Sequence, residues 1–156
     1  MLGQLQDNQL KLKRIFIESN LPKELQSLKD LAHNLWWSWN NKAIELFEYI
    51  AGDQWETIRY NPVELLQSIG IQQAKKLLAD EAFMTKLQEV TGQFKAYMEE
   101  KPAENAPKIS YFCMEYGLHT SMRLYSGGLG VLAGDFLKEA SDMNVDMVAV
   151  GLLYRY

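Results

Sequence analysis

Two patterns of apolar residues divide the chain. Over residues 21–100 they recur at three- and four-residue steps, the period of an amphipathic helix. Leu25, Leu28, Ala32, Leu35 and Trp39 fall on one helix face, and Asn20 with Pro22 just after it marks the start. Asn40 or Asn41 is placed to cap a second helix that carries Ile44, Phe47 and Ile50 and ends at Ala51-Gly52. Asp53 restarts a short turn around Trp55 and Ile58. Asn61-Pro62 opens a helix through Leu65, Leu66 and Ile69, with Gly70 predicted as its C′ residue. A short helix over 72–79 follows. Asp80 then caps a longer one, striped by Phe83, Leu87, Val90, Phe94 and Tyr97. All four tryptophans lie in this half.

Residues 101–108 break the pattern: two prolines, polar neighbours and no period predict a linker. Beyond it the apolar residues run together. Residues 109–114 and 145–153 read as strands of the kind buried on both faces of a parallel sheet. Between them, Ser126-Gly127-Gly128-Leu129-Gly130 is a turn, and Leu132, Phe136, Leu137 and Ala140 have helical spacing. Strand, glycine turn, helix, strand is a βαβ unit. One such unit cannot bury both its faces, so it reads as the first unit of a larger doubly wound sheet, here truncated. The expected organisation is α plus α/β: a helical module over 1–100, a linker over 101–108, and an incomplete Rossmann-like domain over 109–156. Residues up to Leu10, with 11–17, read as a short extended arm.

The glycine turn carries the chemistry. Leading into a helix, it frees backbone N–H groups and lets a ligand approach the main chain, and the helix dipole favours an anion there. A tight strand-to-helix connection with no ligand accounts for the glycines equally well. Among phosphate sites, a P-loop fails for want of a following Gly-Lys-Ser/Thr. Gly128-x-Gly130-x-x-Ala133 has the spacing of the dinucleotide fingerprint. However, the preceding run ends near Met114, and the second closes on Tyr154-Arg155-Tyr156 with no carboxylate for a ribose. A sugar-transfer site, with the turn facing a sugar phosphate across a cleft between two such domains, is the third version.

Composition narrows the classes. With 47% apolar and 23% charged residues, the 156-residue chain is globular rather than disordered. A net charge of −4 offers no field for a nucleic-acid backbone. No apolar run approaches the roughly 20 residues needed to span a bilayer, and the Gln-rich N-terminus has no signal-peptide pattern. Cys113 is the only cysteine, which excludes a disulfide framework and predicts a cytoplasmic protein. The scattered histidines and cysteine make no zinc-ligand spacing.

The stretches ISYFCMEYGLHTS, RLYSGGLGVLAGDFLKEASD and VAVGLLYRY resemble the start of the first Rossmann-like domain of α-glucan phosphorylases, most of all those of bacteria and archaea. LPKELQSLKDLAHNLWWSWNNKAIELFEYI, followed by QWETIRYNPVELL, resembles the helical N-terminal region that accompanies that domain. The resemblance spans residues 21–156. It implies a two-domain GT-B fold, pyridoxal phosphate held by a lysine, and reversible phosphorolysis of α-1,4-glucan or maltodextrin by inorganic phosphate to glucose 1-phosphate. It implies that Gly127, Gly128, Leu129 and Gly130 approach sugar and phosphate by their amides, and that Glu115 lies close to the active site. Gly117 stands where the animal-type pattern has an aromatic, and Val131 where it has an arginine. The cofactor lysine and the basic residues that hold the substrate phosphate belong to the family's C-terminal half, outside this chain. Homo-oligomerisation is left open.

Other residues have plainer readings beside the sharp ones. Trp36 and Trp39 fit core positions, while Trp37 lies off the stripe and is the candidate for a contact between domains. His33 is read as solvated and Cys113 as a small buried hydrophobe. His119 lies in the loop before the glycine turn and is a candidate substrate contact. Arg123 suits a phosphate or simply solvent. Asp135 suits the helix dipole. Two rival functions remain. A glycogen or starch synthase also carries a Gly-Gly-Leu-Gly turn, but usually with a lysine where Tyr125 stands, and close to the N-terminus. A non-enzymatic helical binding or regulatory module would use the turn only structurally.

Overall fold

Residues 21–153 are described by a computed structural model; the extended arm expected over the first seventeen residues lies outside them. The first expected helix is interrupted. Only Ser27–Ala32 is α-helical (α1), flanked by 3-10 turns at Lys23–Leu25 and Leu35–Ser38. Asn34 makes the break. It is extended, and its side chain accepts from the Trp36 amide at 2.9 Å, starting a new turn instead of continuing the old one. The tighter turn, about 3.0 residues instead of 3.6, swings Trp37 inward. Trp36 and Trp37 are both buried, whereas Trp39 is only partly so.

The next caps follow the sequence. Asn40 accepts from the Ala43 amide at 3.0 Å and opens α2, Asn41–Ala51, which ends at Gly52 with φ +52°. Gln54–Thr57 is α3. Asn61 accepts from Val63 and Glu64 to open α4, Pro62–Ser68. Gly70 is not the left-handed C′ residue expected. Its φ is −83°, and it precedes α5, Ile71–Ala79, at the N-cap position. Asp80 accepts from Phe83 at 3.0 Å and opens α6, Glu81–Glu99.

These helices close around one core. Leu25, Leu28, Leu31, Leu46, Phe47, Leu65, Leu87 and Val90 are its largest fully buried side chains. Helix α2 lies along α6, with Lys42–Glu89 and Lys86–Glu45 ion pairs across the seam. Each buried leucine contributes about 1.5–3 kcal/mol and each exposed ion pair about 0–1 kcal/mol, so burial holds this half together.

Residues 101–108 carry neither helix nor strand. Beyond them β1, Ile109–Phe112, pairs in parallel with β2, Met147–Val150, in the register Ile109↔Met147 to Phe112↔Val150. Helix α7, Gly128–Asp142, makes the crossover. Both strands are shorter than their apolar runs. Phe112 and Val148 are 72% and 62% exposed, because a single helix can cover only part of a two-stranded sheet.

The two halves touch at the end of α7. Trp39 Nε1 and the Tyr97 hydroxyl both donate to Asp142 Oδ1 at 2.9 Å, and Tyr97 also lies 2.6 Å from Ser141 Oγ. Trp39, read as core, is therefore a junction residue. Burial, with the Asp142 carboxylate, pushes the Tyr97 phenol up to about 12.

Candidate functional site

Helix α7 begins at Gly128, so Gly128, Leu129 and Gly130 form its first turn rather than the loop before it. Gly127 is the N-cap residue. Its extended backbone (φ −170°) suits any residue, and no side chain caps the helix. The first helical bond is Val131 N–H to Gly127 C=O at 3.2 Å. The amides of Gly128, Leu129 and Gly130 therefore have no intrahelical acceptor, at the positive end of a 15-residue helix.

The glycines here fall into two sets. A Cβ on Gly134 would lie 2.2 Å from the Gly117 carbonyl oxygen, and one on Gly130 would lie 2.4 Å from Tyr125 Cβ. A Cβ on Gly117 would meet Gly130 and Val131 backbone at 3.1 Å. These three are small so that α7 can lie against the segment leaving β1, where Gly117 N–H also donates to Gly130 C=O at 2.7 Å. Gly127 and Gly128 differ: a Cβ on either would meet nothing within 4 Å. Neither packing nor conformation requires glycine there, and their bareness opens the backbone to the outside.

Glu115 is drawn to the turn. Its two carboxylate oxygens accept from the Ser126 amide and the Ser126 hydroxyl, each at 3.2 Å. It thereby fixes the residue before the N-cap; Gly128 and Leu129 are exposed there, while Gly130 is buried. His119 goes elsewhere. Its ring meets Trp37 edge to face at 4.7 Å between centroids. Its Nδ1 accepts from the Ser121 amide at 3.2 Å and lies 2.8 Å from Ser121 Oγ. An accepting Nδ1 puts the proton of the neutral ring on Nε2. Burial, and secondarily the charge of Lys138, hold the imidazole below its ordinary value. None of these contacts reaches the turn.

Three features escaped the sequence reading. Tyr116 is buried, and its hydroxyl donates to the Tyr111 carbonyl at 2.7 Å, 3.3 Å from that of Val150, pinning the ends of both strands. Gly117 and Gly134 meet backbone to backbone. A glycine inside a helix costs about 1 kcal/mol against alanine, and that cost was the available signal of close approach at Gly134. Cys113, expected to be buried, is half-buried, with its Sγ 3.1 Å from the Glu115 carbonyl.

Among the described residues no cluster of His, Cys, Asp or Glu is placed to hold a metal, and no helix is long and apolar enough to cross a membrane. No described charged side chain is buried.

The protein family described as "Protein of unknown function (DUF3417)" matches residues 21–122, the helical half together with β1 and the loop holding His119. The chain belongs to this DUF3417 family. It is also 43% identical over 147 residues to the maltodextrin phosphorylase of Thermococcus litoralis, covering 90% of this chain and 18% of that protein. It is 41% identical over 135 residues to the glycogen phosphorylase of Aquifex aeolicus (85% and 19% covered). It is 36% identical over 156 residues to that of Mycobacterium tuberculosis (92% and 18%). The resemblance to α-glucan phosphorylases read from the sequence is borne out by these relatives. The chain spans about a fifth of the length of each. No solved structure matches it.

Proposed function

We propose that this DUF3417 chain is the N-terminal part of an α-glucan phosphorylase, and that its glycine turn forms one wall of the active-site cleft. The whole protein would have a GT-B fold, with the helical module over 1–100 and the linker over 101–108 preceding the first Rossmann-like domain. It would act in the cytoplasm on α-1,4-glucan or maltodextrin and inorganic phosphate, yielding glucose 1-phosphate. The observation that carries the reading is the bare backbone at Gly127 and Gly128, in a chain resembling phosphorylases along most of its length.

In this role the free amides of Gly128, Leu129 and Gly130 would donate to sugar or phosphate oxygens. Fixed donors at a helix N-terminus cost no reorganisation as negative charge develops. Glu115 would act on the turn, holding Ser126 so that the amides keep their direction. His119 would act on the loop and not on substrate. Pyridoxal phosphate, which the family resemblance implies, finds no buried lysine amine among the described residues. A Schiff-base lysine is activated by desolvation or a neighbouring cation, and the described lysines are solvent-accessible or, like Lys42 and Lys86, ion-paired. We assign that lysine to a segment outside this chain.

The test is product formation. A full-length protein carrying these residues should release glucose 1-phosphate from maltodextrin and phosphate. Residues 1–156 alone should release none and should form no borohydride-reducible adduct with pyridoxal phosphate. A full-length protein that turns over only a nucleotide sugar, or nothing, would refute the reading.

A further inference from the structure

The helix that carries the glycine turn ends on a carboxylate that its own dipole disfavours. Asp142 is the last residue of α7, and the last turn holds no basic residue. The C-terminal end of a helix is its negative end, which suits a lysine or arginine and not an aspartate. Among the described residues no cation pairs with Asp142 either. It meets two neutral donors from the helical half instead. Trp39 Nε1–H and the Tyr97 hydroxyl both donate to Oδ1 at 2.9 Å, and a carboxylate oxygen is a stronger acceptor than a neutral one. The aspartate is therefore explained by the other half of the molecule and not by its own helix.

Both donors are rooted in the helical core. The Tyr97 ring packs on the buried Trp36 at 5.8 Å between centroids. Trp39 closes the 3-10 turn of Trp36 and Trp37, its amide donating to Trp36 C=O at 3.3 Å. The Tyr97 hydroxyl also lies 2.6 Å from Ser141 Oγ, so two consecutive residues of α7 reach it. Hollows of about 490 and 190 Å³ flank the contact, and Tyr97 and Glu100 line both. Hydrogen bonds rather than close packing tie the tail of α7 to α6.

Near its other end α7 is held by backbone. Gly117 N–H donates to Gly130 C=O at 2.7 Å, and Gly134 lies so close to Gly117 that a Cβ would come within 2.2 Å of its carbonyl oxygen. A rod held at one point can pivot, whereas two points of support fix its axis. At 15 residues α7 is about 22 Å long, and the two supports lie towards its opposite ends. The free amides at the start of the helix point along that axis, so the axis sets their direction.

We propose that Asp142 is a positioning residue: by holding it, the helical half directs the free amides of Gly128 and Leu129, at the far end of the same helix, towards the reacting groups. The catalytic consequence rests on the phosphorylase reading, while the two-point support of α7 rests on geometry alone. The helical half thereby acts on the turn through α7.

The experiment compares Asp142→Ala and Asp142→Asn in a full-length protein carrying this chain. The readouts are steady-state kinetics with maltodextrin and phosphate, and the methyl NMR signals of the exposed Leu129. Propensity and dipole both favour alanine over aspartate at this helix end, so α7 itself should persist. Asp142→Ala should shift or broaden the Leu129 signals, 13 positions away. It should lower kcat about tenfold and leave KM within about twofold, since misdirected donors cost turnover more than binding. Asp142→Asn keeps an oxygen that accepts from both donors and should restore both readouts. A residue that only stabilised the fold would lower the melting temperature and leave kcat per folded enzyme unchanged. Trp39→Phe/Tyr97→Phe should reproduce Asp142→Ala, and adding Asp142→Ala to that pair should cost nothing more. Unmoved Leu129 signals in Asp142→Ala, or moved signals with unchanged kcat, would each overturn the proposal. An unsubstituted protein that makes no glucose 1-phosphate would refute the phosphorylase reading instead, and the Leu129 signals alone would then decide whether Asp142 directs the turn.

Discussion

The indole of Trp37 and the imidazole of His119 meet edge to face, 4.7 Å between ring centres and 82 positions apart in the chain. Trp37 also packs on Phe47 and Trp55 in the helical core. The loop that delivers the glycine turn is therefore seated on the most buried aromatic cluster of the other half. Trp37→Ala should cost about 3–5 kcal/mol of stability, as expected for a large core deletion. A double-mutant cycle with His119→Ala should return a coupling of about 0.5–1.5 kcal/mol, the range of aromatic pairs. Urea unfolding of the four proteins measures both; additive losses would mean that the two rings do not support each other.

Two groups should shape the pH dependence of stability. The His119 imidazole is held below its ordinary value, so the unfolded chain binds a proton there more readily than the folded one. Its contribution is fully present above the unfolded value, about 6.5, and is lost as pH falls through the lower folded one. Tyr97 works in the opposite direction. Its folded value is raised to about 12, so its contribution is present below about 10 and is lost as pH rises from there to about 12. Thermal melts across pH should show the acid slope diminish in His119→Gln and the alkaline slope diminish in Tyr97→Phe.

The two sets of glycines predict opposite outcomes for one added methyl group. Helix propensity alone favours alanine by about 1 kcal/mol at either Gly128 or Gly134. At Gly134 the Cβ would lie 2.2 Å from the Gly117 carbonyl, and backbone cannot swing aside as a side chain can. Overpacking of about 1–3 kcal/mol should win, so Gly134→Ala destabilises. At Gly128 nothing lies within 4 Å, so Gly128→Ala should be neutral or slightly stabilising. Chemical denaturation of the two variants checks the contrast.

What could be read beforehand follows the range of the forces involved. Asn40, Asn61 and Asp80 act on amides two or three residues away, so each cap was legible in the sequence. The interruption at Asn34 was not, because its cap competes with a helical stripe that Leu28 and Ala32 support on either reading. Trp37 looked off-face under a 3.6-residue period and is buried under a 3-10 turn. The approach of Gly134 to Gly117 joins two segments by tertiary contact, and no local pattern encodes it. At the turn, the residue type pointed to backbone exposure. The partner of Glu115 and the diversion of His119 to Trp37 needed the fold.

The central claim, that Gly127–Gly130 presents its amides to the reacting groups, is tested most directly by the kinetics of Gly128→Val in a full-length protein carrying this chain. The valine has room in the free protein, since a Cβ there meets nothing within 4 Å, so the fold should survive. In the complex its branched side chain would stand where sugar or phosphate must approach the amides. Loss of donors that act on developing charge costs about 10²–10³ in kcat, and a drop of that order, larger in kcat than any rise in KM, is the predicted result. A well-folded Gly128→Val enzyme with unchanged kcat and KM would contradict the account.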